Sequence, residues 1–325
     1  MQSVLDRKLL VVTGKGGVGK TTIAAAIGLL AARRGRRTIV VEVGEESRLP
    51  GLFGIAPTPG GVECKLTECL SSVSIDPDRA LLEWLQALGG RVSGRVLASS
   101  GTFQYFAAAA PGARELVTMV KIWRLTGGGE QRRSSAGYDL VVLDAPATGH
   151  ALGLLGSPQT FGAIARVGPI AAQTRQLREL LESPSRTAYL AVALGTEMAV
   201  TETLELQDGL RRQLGRDLAA VVVNALLPLR FTAAELTLIA SSGTDGARDG
   251  GRGAEAPAPR AQRRAVIESA VRAAGAVHDR ARLQHNQLER LRRRSFDVLG
   301  VPFVWGGPLD MAAIVNIAGR LERKL

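Results

Sequence analysis

Eight consecutive residues, Gly14-Lys15-Gly16-Gly17-Val18-Gly19-Lys20-Thr21, carry the densest chemical signal in this 325-residue chain. They fit the pattern G-x-x-x-x-G-K-[ST], in which glycines let successive backbone N–H groups turn inward and form a nest for an anion. A β-rich run, KLLVVT, precedes the loop, and an Ala-rich helical stretch opening at Thr22 follows it. A helix N-terminus at that point adds partial positive charge. In such a loop the lysine at Lys20 reaches the β- and γ-phosphates, and the Thr21 hydroxyl binds Mg²⁺. The chemistry indicated is binding of ATP with Mg²⁺. Lys15 is a second lysine, early enough in the loop to point away from the loop's own γ-phosphate.

These groups need a frame that brings distant segments together. Short apolar runs alternate with helical patterns, and strands are predicted at 8–13, 38–43, 73–77, 138–146, 187–194, 217–224 and 302–305. Helices are predicted at 22–35, 78–90, 111–125 and 310–325, with Gly35 as the stop of the first. Continuous apolar strands separated by helices imply a doubly wound, mostly parallel α/β sheet flanked by helices, with ligands at the strands' carboxyl ends. One domain, 1–325, is expected. The polar, Gly-rich stretch 125–137 reads as a surface loop. The stretch 241–259, rich in Gly, Ala, Asp, Arg and Pro, has almost nothing to bury and reads as disordered. A long helix, 261–294, follows, with a stripe at Val266, Ala270, Ala273, Val277, Ala281, Leu288 and Leu291 that Gln284 breaks.

Composition bounds the function. Hydrophobic residues make up 46% of the chain, enough for a large core without disulfides. Cys64 and Cys69, in CKLTEC, have neither the spacing nor the neighbours of a zinc site, and two cysteines are no disulfide framework. The chain opens without a signal-peptide pattern and holds no run of about 18 apolar residues, so a cytoplasmic protein is expected. The net charge is +11, and 260–294 alone carries ten Arg against three acids. Two readings stand for that segment: a solvated helix face, or a basic surface for an acidic partner, anionic lipid or nucleic acid.

GKGGVGKT resembles the deviant phosphate loop of dimeric ATPases that include partition, division, nitrogenase-reductase and arsenite-pump proteins. In that class the extra lysine crosses a dimer interface and neutralises phosphate in the opposing subunit, so the resemblance gives Lys15 that role. Asp144-Ala145-Pro146-Ala147-Thr148-Gly149-His150 is similar to the second switch of one branch, the arsenite-pump and tail-anchored-protein-targeting family. By that likeness Asp144 ends a strand where its carboxylate holds Mg²⁺ through water. Residues 187–206 and VVVNALLP (221–228) resemble the same branch, and Asn224 matches its adenine-recognising asparagine, whose amide offers both donor and acceptor. Residues 301–310 fall where the family has its adenine-facing loop.

The resemblance implies a P-loop ATPase switch that closes as a homodimer on ATP and couples closure to a partner or hydrophobic client. Insertions at 90–130 and 152–183 form a helical subdomain in this reading, and their apolar residues (Leu116, Val117, Met119, Val120, Ile122, Trp123, Phe161, Ile164, Val167, Ile170) line either a client groove or a core. The chain departs from the pattern at Gly44, where the family's first switch carries an Asp. Glu42, Glu45 and Glu46 are close, and Glu45, offset by one residue, is the substitute taken here. That offset predicts slow hydrolysis. No cysteine follows residue 69, so metalloid ligands have no counterpart and arsenite is not expected to bind. Competing readings are a partition- or division-type ATPase on membrane or DNA, and a non-hydrolysing nucleotide sensor or scaffold.

Overall fold

The computed structural model describes residues 3–88, 112–128, 137–164, 169–245, 257–307 and 309–322. Eight strands form one sheet: β1 (Leu9–Gly14), β2 (Thr38–Val43), β3 (Cys64–Lys65), β4 (Leu70–Ile75), β5 (Leu140–Ala147), β6 (Thr187–Leu194), β7 (Ala220–Leu226) and β8 (Asp297–Pro302), in the order β3-β4-β2-β5-β1-β6-β7-β8. All pairings are parallel except the edge pair β3–β4. β1 lies between β5 and β6, with Val11 opposite Leu143 on one side and Tyr189 on the other. This is the doubly wound P-loop α/β fold, and its ligand-facing edge is the row of strand carboxyl ends.

Alternation along each strand supplies two cores. Leu9, Val11, Val141, Leu143 and Tyr189 face one way, and Leu10, Val12, Val142, Leu190 and Val192 the other, all fully buried. The second face is covered by α1 (Lys20–Arg33) and the closing helix Met311–Glu322. Residues 22–32 of α1 are buried without interruption, because it is enclosed by the sheet and its neighbours on all sides. α2 is a single turn, Leu49–Leu52, and α3 spans Pro77–Leu88.

The first face is covered by α4 (Ala113–Leu125), α5 (Thr148–Ile164), α6 (Pro169–Glu182) and α7 (Glu197–Leu214). Leu116, Val117, Met119, Val120, Ile122 and Trp123 are all buried in the same cluster as the strands. The groove alternative for these six residues is therefore corrected: they are core, since without them the sheet face would meet water. Phe161 is partly buried against that cluster; the side chains of Ile164, Val167 and Ile170, and residues 89–111 and 129–136, lie outside the described residues. The described parts of the two insertions, 112–128, 152–164 and 169–183, pack in the layer on this face of the sheet.

Two expectations shift at the C-terminal end. Of 241–259, residues 241–245 close α8 (Ala233–Asp245) and 257–259 open α9 (Pro257–Arg292), while 246–256 lie outside the described residues. The strand expected at 302–305 is instead β8, ending at Pro302. Phe303, Val304 and Trp305 are exposed, and Phe303 stacks edge-on against Trp305 at 4.8 Å. Gly300 hid the true strand from a propensity reading, yet a Cβ there would come within 2.8 Å of Leu226 Cδ1. The closing helix, Met311–Glu322, is α10. Among the described residues no helix is long and apolar enough to cross a membrane.

Candidate functional site

The loop between β1 and α1 is built by close backbone approach. Gly14 has φ +145°, and a Cβ on it would sit 2.1 Å from Val192 O. Gly19 has φ +92°, and a Cβ there would lie 2.4 Å from Asn224 Nδ2. A side chain at Gly14 would collide with the β6 backbone, and one at Gly19 would displace the Asn224 amide and be strained by its positive φ. Val18 is buried and anchors the loop, Gly16 and Gly17 are exposed at its tip, and Thr22 is buried in α1. Lys20 starts α1, and its Nζ donates to Lys15 O at 3.0 Å, across the space the loop encloses. Burial holds the Lys20 ammonium below its ordinary pKa, partly offset by the Asp144 carboxylate.

Asp144 comes from β5, whose pairing with β1 sets it opposite Val12. Thr21 Oγ1 donates to Asp144 Oδ2 at 2.5 Å, while Oδ1 is out of solvent and has no hydrogen-bond partner among the described residues. Burial is the main reason the Asp144 carboxyl is pushed up to about 6; the Glu42 charge adds to it, and the Thr21 hydrogen bond, Lys20 and Arg48 oppose it. A hydroxyl and a carboxylate at contact distance, one carboxylate oxygen unmatched, form a hard oxygen donor set that fits a divalent cation. Thr13 Oγ1 ties the two strand ends by donating to Pro146 O at 3.1 Å.

A cavity of about 610 Å³ opens over this pair, lined on one side by Lys20, Thr21 and Asp144 and on the other by Glu45, Glu46 and Arg48. Glu42 is buried at the end of β2. It accepts from Ser47 Oγ, from Arg48 N at 3.0 and 3.1 Å and from Leu49 N at 3.2 Å, and so ties the loop after β2 to the start of α2. Of the three carboxylates considered for the Gly44 position, Glu42 is therefore occupied structurally, and Glu45 and Glu46 remain exposed on the cavity. Arg48 is a site residue that the sequence reading missed. Its guanidinium is exposed beside the cavity and its charge lowers the Asp144 pKa. The signal that could have found it is its place three residues after a Glu-rich turn, too weak by itself.

Lys15 faces away from this cavity. Its Nζ lies 2.5 Å from Glu202 Oε1 and 2.7 Å from Met198 Sδ, both on α7, with the ion pair about one third exposed on each side. Asn224, at the end of β7, donates from Nδ2 to Val18 O at 2.9 Å, and its Oδ1 accepts from Ala225 N at 2.9 Å. The structure thus brings Asn224 to the phosphate loop and gives it a bracing role there. Thr148-Gly149-His150 opens α5, with Gly149 and His150 exposed.

Residues 7–168 match the family described as anion-transporting ATPase. ATPase BagA of Mycobacterium tuberculosis is 32% identical over 246 residues, which cover 73% of this chain and 71% of that protein. ATPase GET3 of Paracoccidioides lutzii is 28% identical over 182 residues, 53% of this chain and 50% of that protein. ATPase GET3 of Pyricularia oryzae is 28% identical over 184 residues, 53% and 51% respectively. The match spans about half the length of the two GET3 proteins.

Proposed function

This chain belongs to the anion-transporting ATPase family, and from that premise we propose that it is a cytoplasmic switch that hydrolyses Mg·ATP and closes as a homodimer. One observation carries the reading. Thr21, Asp144 and Lys20 converge under a single cavity at the strand carboxyl ends, while Lys15 of the same loop is turned outward. Loop N–H groups and Lys20 would bind the phosphates, and Thr21 and Asp144 would hold Mg²⁺. The ion, when bound, screens phosphate charge and orients the transferred group. Glu45, on the cavity rim, is the carboxylate available to orient water, and Asn224, already bonded to Val18 O and Ala225 N, has its second N–H and second oxygen lone pair left for adenine. Lys15 would cross to the phosphates of a second copy, where an added cation stabilises charge that develops in the transition state.

Gly44 and the structural engagement of Glu42 support slow turnover and keep the non-hydrolysing sensor as the second reading. Arsenite is not proposed as a ligand, nor is a hydrophobic client on the six buried residues of α4. A partner that reads the closed state is proposed, its identity left to a pull-down with ATP-locked protein. Single-turnover phosphate release by wild type and Lys20→Ala tests the enzyme. A burst in the first and none in the second is expected; equal release from both would sink hydrolysis and leave the sensor.

A further inference from the structure

The C-terminal part of the α9 stripe, Ala281, Gln284, Leu288 and Leu291, is buried and runs on through Gln284 instead of breaking there, while Val266, Ala270 and Ala273 in its first half are exposed. A primary amide placed among core residues must have both its polar atoms matched. Gln284 Oε1 accepts from Leu227 N at 2.8 Å, and its Nε2 donates to Ala225 O at 3.2 Å. It thereby grips the backbone where β7 slips its register with β8, between Val223 and Leu226. Ala225, inside that slip, has φ +55°, the one non-glycine in the left-handed region among the described residues. Alanine does not stay there unless its surroundings hold it.

The next residue inward is Asn224, whose amide reaches Val18 O in the phosphate loop and accepts from the N–H of that same strained Ala225. On its other side, Gln284 sits against the end of β6: a Cβ on Gly195 would lie 2.9 Å from both Gln284 Cβ and Cγ. The helix can seat this deeply because residue 195 has no side chain. A cavity of about 470 Å³, lined by Leu194, Ala225, Leu227, Leu283 and Phe303, flanks the slip, so packing alone does not hold it. Arg280, Arg282 and Arg290 are exposed on the same helix segment.

We infer that Gln284 is a positioning residue for the nucleotide loop: it fixes the 225–227 backbone, aims Asn224 at Val18–Gly19, and links the Arg-rich helix to nucleotide affinity. This rests on the reading that the loop holds ATP. Reciprocity then requires that whatever shifts α9 changes ATP affinity, and that ATP changes the seating of α9.

Full-length wild type, Lys20→Ala, Gln284→Met, Gln284→Glu, Asn224→Ala and the Asn224→Ala/Gln284→Met double variant would be titrated with ATP and assayed for turnover. Gln284→Met keeps the volume and loses both hydrogen bonds, and should weaken ATP binding roughly 5- to 30-fold, with the loss on KM rather than on kcat. Gln284→Glu keeps the acceptor for Leu227 N and should recover part of that loss, and it serves if the Met variant does not fold. The double variant should bind no more weakly than Asn224→Ala alone. Amide exchange at Leu227 should accelerate in Gln284→Met and stay slow in Gln284→Glu. Unchanged ATP affinity in both Gln284 variants, or losses that add to that of Asn224→Ala, would overturn the inference while leaving the ATP reading intact. ATP binding by Lys20→Ala equal to that of wild type would overturn the ATP reading as well.

Discussion

Asp144 is the residue whose chemistry is most exposed to test. Its carboxyl is pushed up to about 6 from an ordinary 3.8, chiefly by burial. An acid whose folded pKa lies above its unfolded one binds more protons folded, so between pH 4 and 6 the stability of the nucleotide-free protein falls as pH rises. Asp144→Asn should therefore be more stable than wild type at pH 7–8, on the order of 1–3 kcal/mol, with the difference fading towards pH 4. Thermal unfolding across pH measures this. The same variant should lose Mg²⁺-dependent ATP stabilisation, and in wild type that stabilisation should begin to weaken as pH falls below about 6, where Mg²⁺ must compete with a proton for the Asp144 carboxylate. Arg48 gives a second residue-scale expectation. Arg48→Ala should weaken ATP binding about tenfold and ADP binding less, because a cation near the far end of the cavity acts most on the terminal phosphate. Equal losses for both nucleotides in titration calorimetry would place its effect elsewhere.

At the scale of elements, the loops are held by the ends of strands, and the central strands by the buried faces of α1 and α4. Helix α4 shows this: the apolar positions that a sequence pattern leaves open between groove and core are all inside. Leu116→Ala should cost about 2–5 kcal/mol in denaturant unfolding, the range for a cavity in a packed core. A cost under 1 kcal/mol would mean that α4 detaches readily and that its apolar face is available to a client. The loop after β2 is similarly tied, since buried Glu42 holds Ser47, Arg48 and Leu49. Motion there must begin by releasing that carboxylate, or must carry the whole 42–52 segment as a unit.

For the whole molecule the question is what a second copy would change. Lys15 and Glu202 form an ion pair at 2.5 Å in the single chain, so crossing to another subunit means giving up that pair. Glu202→Gln should thus favour ATP-driven dimerisation, by a few-fold in the dimer dissociation constant, as suits the modest worth of a partly exposed pair. Lys15→Ala should bind ATP but stay monomeric. Sedimentation velocity with and without Mg·ATP reads both. Dimerisation of Lys15→Ala at the wild-type concentration would remove the lysine from the interface.

The local signals were legible because they are local. The glycines, Lys20 and Thr21 of the loop act through neighbouring backbone, and Asp144 closes an unbroken apolar run, so order and spacing suffice to identify them; the family likeness followed from the same stretches. The central strands β1, β2, β5, β6 and β7 were legible for a related reason, since they are buried on both faces and almost wholly apolar; the short edge strand β3, β4 with its buried Ser72 and Ser74, and β8 with its Gly300 were missed or shifted. Positions that depend on who packs against whom were not. Glu42 looks like one acid among three until the fold buries it under Ser47–Leu49. Gln284 looks like a break in a stripe until Gly195 and the slip in β7 give it two partners. Lys15 is recognisable as a spare lysine, but only the approach of α7 decides that Glu202 holds it. A hydrogen bond or ion pair between residues about 60 to 190 apart leaves no trace in either neighbourhood; it exists because the sheet order brings β6, β7 and α9 to the phosphate loop.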